Sequence, residues 1–150
     1  MKHSPVAKER LRTAPLAALE EVYASAPLAP LPGGVWRGTY LHELPMSTGE
    51  RLVARAMFKW PTFGLDLDEH GWWFGTPKRV TGHFEPAIGP SRWRDAEVVR
   101  LDYRRTTPWP LRRMLYDELK PIADDCVLGL GGINRSGPRG AWFYFLLERR

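Results

Sequence analysis

From residue 34 onward, the chain consists of short runs in which apolar and polar residues alternate, and turn-forming residues separate one run from the next. Val99, Leu101 and Tyr103, for example, share one side of their run, because side chains two residues apart in a strand lie on the same face. Regular spacing of such runs is typical of an antiparallel meander. The sequence therefore predicts a mainly β fold of about eight strands that closes into a barrel. The predicted strands are 36–43, 50–60, 71–75, 78–85, 97–104, 111–119, 126–133 and 141–148.

Two of these runs also fit a helix. In 50–60, Ser47 and Glu50 have the spacing of a capping box, and in 111–119 three leucines recur every four residues. We predict strands for both, because the alternation in 50–60 is the cleaner pattern and the flanks of 111–119 are rich in turn residues. The connecting segments 62–70 and 86–90 are predicted to be a loop and a turn.

The residues before the barrel predict a short helix. Leu16, Leu19 and Tyr23 form one apolar face within an Ala- and Leu-rich segment, and Thr13 and Pro15 suit its start. We therefore expect a single domain over 1–150, in which residues 1–12 are mobile at their start, 13–26 form the helix and 34–149 form the barrel.

Charge and cysteine content exclude several classes of partner. The net charge is +5, but no run of five or more basic residues occurs, so we predict no nucleic-acid partner. No segment approaches the roughly 18 apolar residues of a membrane span, and no signal peptide is recognised. The single cysteine, Cys126, allows no internal disulfide and no cysteine-based metal cluster, which favours a cytoplasmic setting.

Three short motifs resemble the lipocalin/calycin group. Gly34-Val35-Trp36 is similar to the Gly-x-Trp of that group's first strand, and Leu101-Asp102-Tyr103 is similar to its later Thr-Asp-Tyr segment. Arg149 lies where the group places a basic side chain across the tryptophan. The resemblance implies a calycin-like barrel that holds a hydrophobic ligand.

The intracellular nitrobindin-like branch of that group is a nearer comparison, because it also has Gly-x-Trp-x-Gly. That branch holds haem through a histidine late in the chain. Here the histidines are His3, His42, His70 and His83, and none lies in the last third. Haem is therefore not implied, and no cofactor is predicted.

Aromatic residues make up 12% of the chain, which suggests that some of them line a pocket. The barrel pattern predicts a ligand-binding wall with one basic side chain for an anionic group. The predicted wall residues are Trp36, Tyr40, Phe58, Trp72, Phe84, Tyr103, Arg104 and Phe143.

The candidate catalytic residues are Tyr116, Glu118 and His83. Tyr116 and Glu118 are two residues apart on one strand, so both are predicted to point into the cavity, where burial would raise the pKa of a carboxyl. Asp117 is then predicted to point outward, toward Arg104 or Arg113. No known catalytic signature, nucleotide loop or metal-binding spacing is present, so no metal is predicted.

These observations leave two main hypotheses. The first is a barrel that binds a hydrophobic small molecule, with an anionic one favoured by the excess of arginine. The alternative is an enzyme without a cofactor, an isomerase, cyclase or lyase, that acts on such a molecule by general acid–base catalysis. A third hypothesis is an interaction domain that uses the Trp-rich segment 60–73. The sequence leaves a homodimer open.

Overall fold

The computed structural model describes residues 5–57, 62–103 and 114–150. Within them, nine antiparallel strands form one sheet with the order β4-β3-β2-β1-β9-β8-β7-β6-β5. Its strands are β1 Val35–Glu43, β2 Phe63–Asp66, β3 Gly71–Phe74, β4 Val80–His83, β5 Glu85–Pro90, β6 Glu97–Asp102, β7 Leu115–Ala123, β8 Cys126–Ile133 and β9 Ala141–Arg149. The helices are α1 Pro5–Thr13, α2 Leu16–Ser25 and α3 Thr48–Met57, with a 3₁₀ turn at Pro138–Gly140.

The sheet is nearly closed into a barrel, and Phe84 is the residue at the closure. The two edge strands, β4 and β5, follow each other in the chain with Phe84 alone between them. The first pairs with β3 and the second with β6, so one extended segment connects the two edges of the sheet. The amide of Phe84 donates to the carbonyl of His70 over 2.8 Å, which continues the pairing through the junction. The predicted barrel is thus confirmed, with nine strands in place of eight.

The barrel interior holds one of two apolar cores. Phe143, Phe145 and Leu147 project inward from β9, and the interior core also contains Trp36 and Leu101 from other strands. The second core lies on the outer face of β7, β8 and β9. It includes Leu128, Tyr144 and Leu146, together with residues of α1 and α2. Burial of both faces explains why 141–148 is apolar throughout rather than alternating.

The N-terminal helices cover the outer face of the sheet. Leu19 and Tyr23 of α2 are fully buried against it. Glu20 accepts hydrogen bonds from Arg94 and from the Tyr144 hydroxyl, all at 2.8 Å, so α2 is fixed by polar contacts as well as apolar ones. The short helix predicted over 13–26 is confirmed by α2. α1 was not predicted, and it occupies part of the segment that was expected to be mobile.

Trp36 is fully buried at the start of β1. Its indole N–H donates to the Gly33 carbonyl over 3.0 Å, and the guanidinium of Arg149 lies 5.2 Å from the centre of its ring. Trp36 and Arg149 are directly paired between β1 and β9. The predicted stacking of Arg149 across Trp36 is therefore confirmed.

The strand predicted over 50–60 is wrong as far as residue 57, because Thr48–Met57 is the helix α3, and residues 58–60 lie outside the described residues. The Ser47 hydroxyl accepts the amide of Glu50 over 3.2 Å, as the capping box required. Glu50 then accepts the Trp142 indole N–H over 3.0 Å, and Ala54 packs into the interior core. Leu52 and Val53 are exposed, so the alternation that favoured a strand does not describe buried positions.

Two strands lie in segments that were predicted to be irregular. β2 lies within the predicted loop 62–70, and β5 occupies the predicted turn 86–90. Pro86 and Pro90 argued against a strand, but β5 is at the edge of the sheet, where a missing N–H is tolerated. The prediction for 111–119 is confirmed over the residues that belong to β7. Residues 111–113 lie outside the described residues.

Candidate ligand-binding site

The barrel interior contains a cavity of about 160 Å³. It lies between β2 and β3 on one side and β7 and β9 on the other. Its wall is almost entirely aromatic and aliphatic, and its only titratable groups among the described residues are Asp117 and Tyr103. The lining residues are Phe63, Gly64, Leu65, Trp72, Trp73, Phe74, Tyr103, Leu115, Asp117, Phe143 and Phe145.

Asp117 places a carboxyl group in this apolar wall. The Tyr103 hydroxyl donates a hydrogen bond to it. Burial raises the pKa of Asp117 to about 7; the hydrogen bond from Tyr103 opposes that rise, and the nearby charge of Glu118 adds to it. The pKa of Tyr103 is also raised well above its usual value, by burial and by the negative charge of Asp117. Asp117 therefore changes charge near neutral pH inside a cavity.

Two glycines of β8 make room for this wall. A methyl group on Gly131 would lie 2.8 Å from the Asp117 carboxylate and 2.6 Å from the Phe143 ring. One on Gly129 would collide with the ring of Phe145. The glycines of β8 thus leave room for the side chains of β7 and β9 to lie across that strand.

Trp72 contributes a buried indole N–H group to this wall. Within the described residues, its indole nitrogen has no hydrogen-bond partner. Leaving such a donor unpaired when buried costs about 1–3 kcal/mol. The Trp72 ring stands edge-on to Phe74 with 5.1 Å between ring centres.

Three of the predicted wall residues line the cavity, namely Trp72, Tyr103 and Phe143. Trp36 and Phe84 belong to the same interior core without lining the cavity. Tyr40 was predicted to face inward but is 40% exposed, and it stacks on Phe143 with 4.9 Å between ring centres. The remaining two predicted residues, Phe58 and Arg104, lie outside the described residues.

The prediction that Tyr116 and Glu118 point into the cavity is wrong. They lie on the outer face of β7, beneath α2, while Asp117 lines the cavity. The prediction that Asp117 points outward is wrong for the same reason. Because α2 covers the outer face, β7 is buried on both sides. Its residue pattern therefore does not indicate which side chains face the cavity. The arrangement on which a catalytic role for Tyr116 and Glu118 was predicted is therefore not the one found.

Glu118 instead connects three parts of the molecule. Its carboxylate is fully buried and accepts the Tyr23 hydroxyl of α2 over 2.9 Å and the Tyr116 hydroxyl over 3.0 Å. It also accepts the Ser91 hydroxyl over 2.6 Å and the Arg92 amide over 2.7 Å. Both oxygens are thus occupied, which is the environment of a structural carboxylate.

The third predicted catalytic residue, His83, is exposed on the edge strand β4 and does not line the cavity. A separate polar pocket of about 260 Å³ lies on the outer surface, where the guanidinium groups of Arg92 and Arg100 lie 5.2 and 5.8 Å from the ring centre of Tyr116. Glu85 and Asp102 also line that pocket, so its charges are mixed.

Sequence reasoning missed Asp117 and several wall residues. Phe145 could have been found, because it lies two residues after Phe143 on the same strand and hence on the same face. Asp117 could have been found from Gly131, its partner in the pairing of β7 with β8, had that register been known. The missed wall residues are Phe63, Gly64, Leu65, Trp73, Phe74, Leu115 and Phe145.

The described residues contain no group of three or more His, Cys, Asp or Glu side chains that could hold a metal ion. Among the same residues, every helix is too short or too polar to cross a membrane. Cys126 is buried in β8, and burial raises the pKa of its thiol to about 12.

No known family model matches this chain, and no curated protein is similar to it in sequence. One solved structure, described as a protein from Thermomonospora curvata, is similar in fold. The two chains are 19% identical with a TM-score of 0.54, over 91% of this chain and 88% of the other. At this identity the similarity shows the fold alone.

Proposed function

We propose that this barrel binds a small, largely apolar molecule in its interior cavity. The observation that supports the proposal is the aromatic wall interrupted by one carboxyl group. Ligand sites typically combine an apolar lining with a few polar groups that fix orientation. An apolar cavity of about 150 Å³ is known to admit benzene, and the cavity here is about 160 Å³. The ligand is accordingly of the size of one six-membered ring with a short substituent.

Binding is favoured over catalysis by how the polar groups of the cavity are used. The Tyr103 hydroxyl donates a hydrogen bond to the Asp117 carboxylate, so these two polar groups bind each other. Apart from the indole N–H groups of Trp72 and Trp73, the described lining holds no further hydroxyl, amide or basic side chain that could stabilise a developing negative charge on a substrate. The alternative of a cofactor-independent acid–base enzyme therefore has less support than a binding function.

We further propose that the barrel is related to the lipocalin/calycin group, nearest its intracellular branch. The stack of Arg149 on Trp36 supports this placement, because that group places a basic side chain across its Gly-x-Trp tryptophan. The lone buried cysteine supports a cytoplasmic setting.

Ethylbenzene is a suitable first probe, because it is an apolar ring with a two-carbon substituent. We expect it to bind with a Kd on the order of 0.1–1 mM, given the affinity that so few atoms can supply. Nuclear magnetic resonance titration should show shifts at the indole and ring protons of Trp72 and Phe143.

The matched control is Leu115→Trp, which adds an indole ring at a half-buried position in the cavity wall. This variant should keep the circular dichroism spectrum of the parent and bind ethylbenzene at least tenfold more weakly. Equal binding by the two proteins, or no shifts in the parent, would refute the proposed function. Native mass spectrometry of the purified protein would identify a ligand carried from the cell.

A further inference from the structure

We propose that the ligand of this cavity is a small organic amine, whose ammonium group pairs with Asp117 while its ring packs among the aromatic side chains. The inference rests on the proposed binding function and names the chemical class of the ligand. Three features of the cavity support it: its charge, its aromatic lining and its size.

The first feature is an acidic group that is paired with no cationic side chain among the described lining residues. Among the described residues, the lining includes one carboxyl and neither Lys, Arg nor His. The hydrogen-bond donor that reaches Asp117 is the neutral hydroxyl of Tyr103. A ligand that fills the cavity removes water from this half-buried carboxylate, which is unfavourable unless an opposite charge or several donors compensate the loss. A ligand with an ammonium group would supply that charge and two or three further donors.

The second feature is the lining of aromatic faces. Phe63 and Phe145 meet at 5.9 Å between ring centres, and Phe143 and Phe145 meet at 5.8 Å. Trp72 and Phe74 meet edge-on at 5.1 Å and add two more rings to the wall. Aromatic faces carry partial negative charge and attract a cation, and cages of such rings are a recurrent means of binding ammonium groups.

The third feature is the small volume. A cavity of about 160 Å³ accepts a ring and a short substituent, so the charged group of the ligand cannot lie far from the wall. An arylalkylamine with one or two carbons between ring and nitrogen has these dimensions. An anionic ligand, which the excess of arginine in the sequence favoured, would place a second negative charge beside Asp117.

Three probes of nearly equal size test the inference: benzylamine, ethylbenzene and benzoate. They carry a positive charge, no charge and a negative charge. At pH 8.5, we expect benzylamine to bind at least tenfold more tightly than ethylbenzene by calorimetric titration, and benzoate to bind at least tenfold more weakly. The Asp117→Asn variant should lose at least tenfold in benzylamine affinity and keep its ethylbenzene affinity within about twofold, because asparagine retains the shape and removes the charge.

The unmodified protein provides a second measurement that needs no variant. Lowering the pH from 8.5 to 5.5 protonates Asp117, so benzylamine affinity should fall about tenfold while ethylbenzene affinity stays constant. Among the described residues, two titratable groups act on Asp117: the Tyr103 hydroxyl donates a hydrogen bond to it, and the charge of Glu118 raises the pKa of Asp117. The described lining residues from β2, β3 and β9 are uncharged.

The outcomes separate the two proposals. If ethylbenzene binds as tightly as benzylamine at pH 8.5, or if Asp117→Asn leaves both affinities unchanged, the ligand is not an amine. The proposal that the cavity binds an apolar molecule would then still hold. If neither probe shifts the resonances of the cavity residues, the binding function itself is wrong.

Discussion

Replacing Glu118 with alanine is expected to lower the free energy of unfolding by about 3–5 kcal/mol, because several buried donors lose their acceptor together. The Tyr23 and Tyr116 hydroxyls and the Arg92 amide all donate to this carboxylate. Tyr23 belongs to α2, so the same substitution loosens that helix from the sheet. Urea denaturation followed by circular dichroism measures the change.

Glu97→Ala is the matched control for this substitution. Glu97 lies on the neighbouring strand β6, and its backbone carbonyl, which alanine keeps, accepts a hydrogen bond from the ammonium group of Lys120. Its carboxylate is exposed and acts on that ammonium group through charge alone, which water screens. Its effect should stay within about 0.5 kcal/mol. If Glu118→Ala lowers the free energy of unfolding as little as Glu97→Ala does, the Glu118 carboxylate does not stabilise the folded structure.

Replacing Asp117 with asparagine is expected to stabilise the protein, by an amount that grows with pH. The pKa of Asp117 is about 7 in the folded chain, against 3.8 for an unperturbed aspartate. The folded state therefore holds the proton more tightly than the unfolded state. The stability that Asp117 contributes is complete below about pH 3.8 and is lost as the pH rises to about 7.

Asparagine at position 117 does not ionise, and its side-chain carbonyl can still accept the Tyr103 hydroxyl. The gap in unfolding free energy between Asp117→Asn and the parent should thus widen by about 2–3 kcal/mol between pH 5 and pH 8 and then level off. Thermal and urea unfolding across this pH range would measure the gap. A gap that is the same at every pH would contradict a raised pKa of Asp117 in the folded protein.

Much of the fold was predictable from local pattern. The alternation in 36–43 and 97–104 is that of half-buried strands, and the last run, 141–148, was apolar enough to indicate burial on both faces. Trp36 and Arg149 were predictable as a pair because a recognised motif links them across the barrel. The number of strands was not predictable, since the prolines of β5 are tolerated only because that strand is at an edge.

The error at 50–60 shows the limit of alternation. Position by position, the segment resembles a strand, but a capping residue and contacts with Trp142 and Glu43 determine a helix. Arg55 donates to Glu43 of β1 over 3.2 Å, and the Trp142 indole N–H reaches Glu50. Such contacts join residues far apart in the chain, so the local sequence pattern does not reveal them.

The candidate site was only partly predictable, for a related reason. The presence of an aromatic cavity follows from composition and barrel closure, and Trp72, Tyr103 and Phe143 were placed in it correctly. Glu118 was predicted to be the carboxyl group in the cavity, whereas the described lining contains Asp117. β7 reads Leu115-Tyr116-Asp117-Glu118-Leu119, in which polar and apolar residues occur on both faces, so a covering helix decides which acid is interior.

Both proposed ligands require an unfilled apolar cavity beside Asp117 in the barrel interior. Diffraction from crystals under xenon pressure tests it most directly, because xenon enters apolar cavities of this size without needing a specific contact. We expect a xenon atom in van der Waals contact with the rings of Phe63, Trp72 and Phe143. Rings that fill this space, with no xenon among them, would contradict the claim.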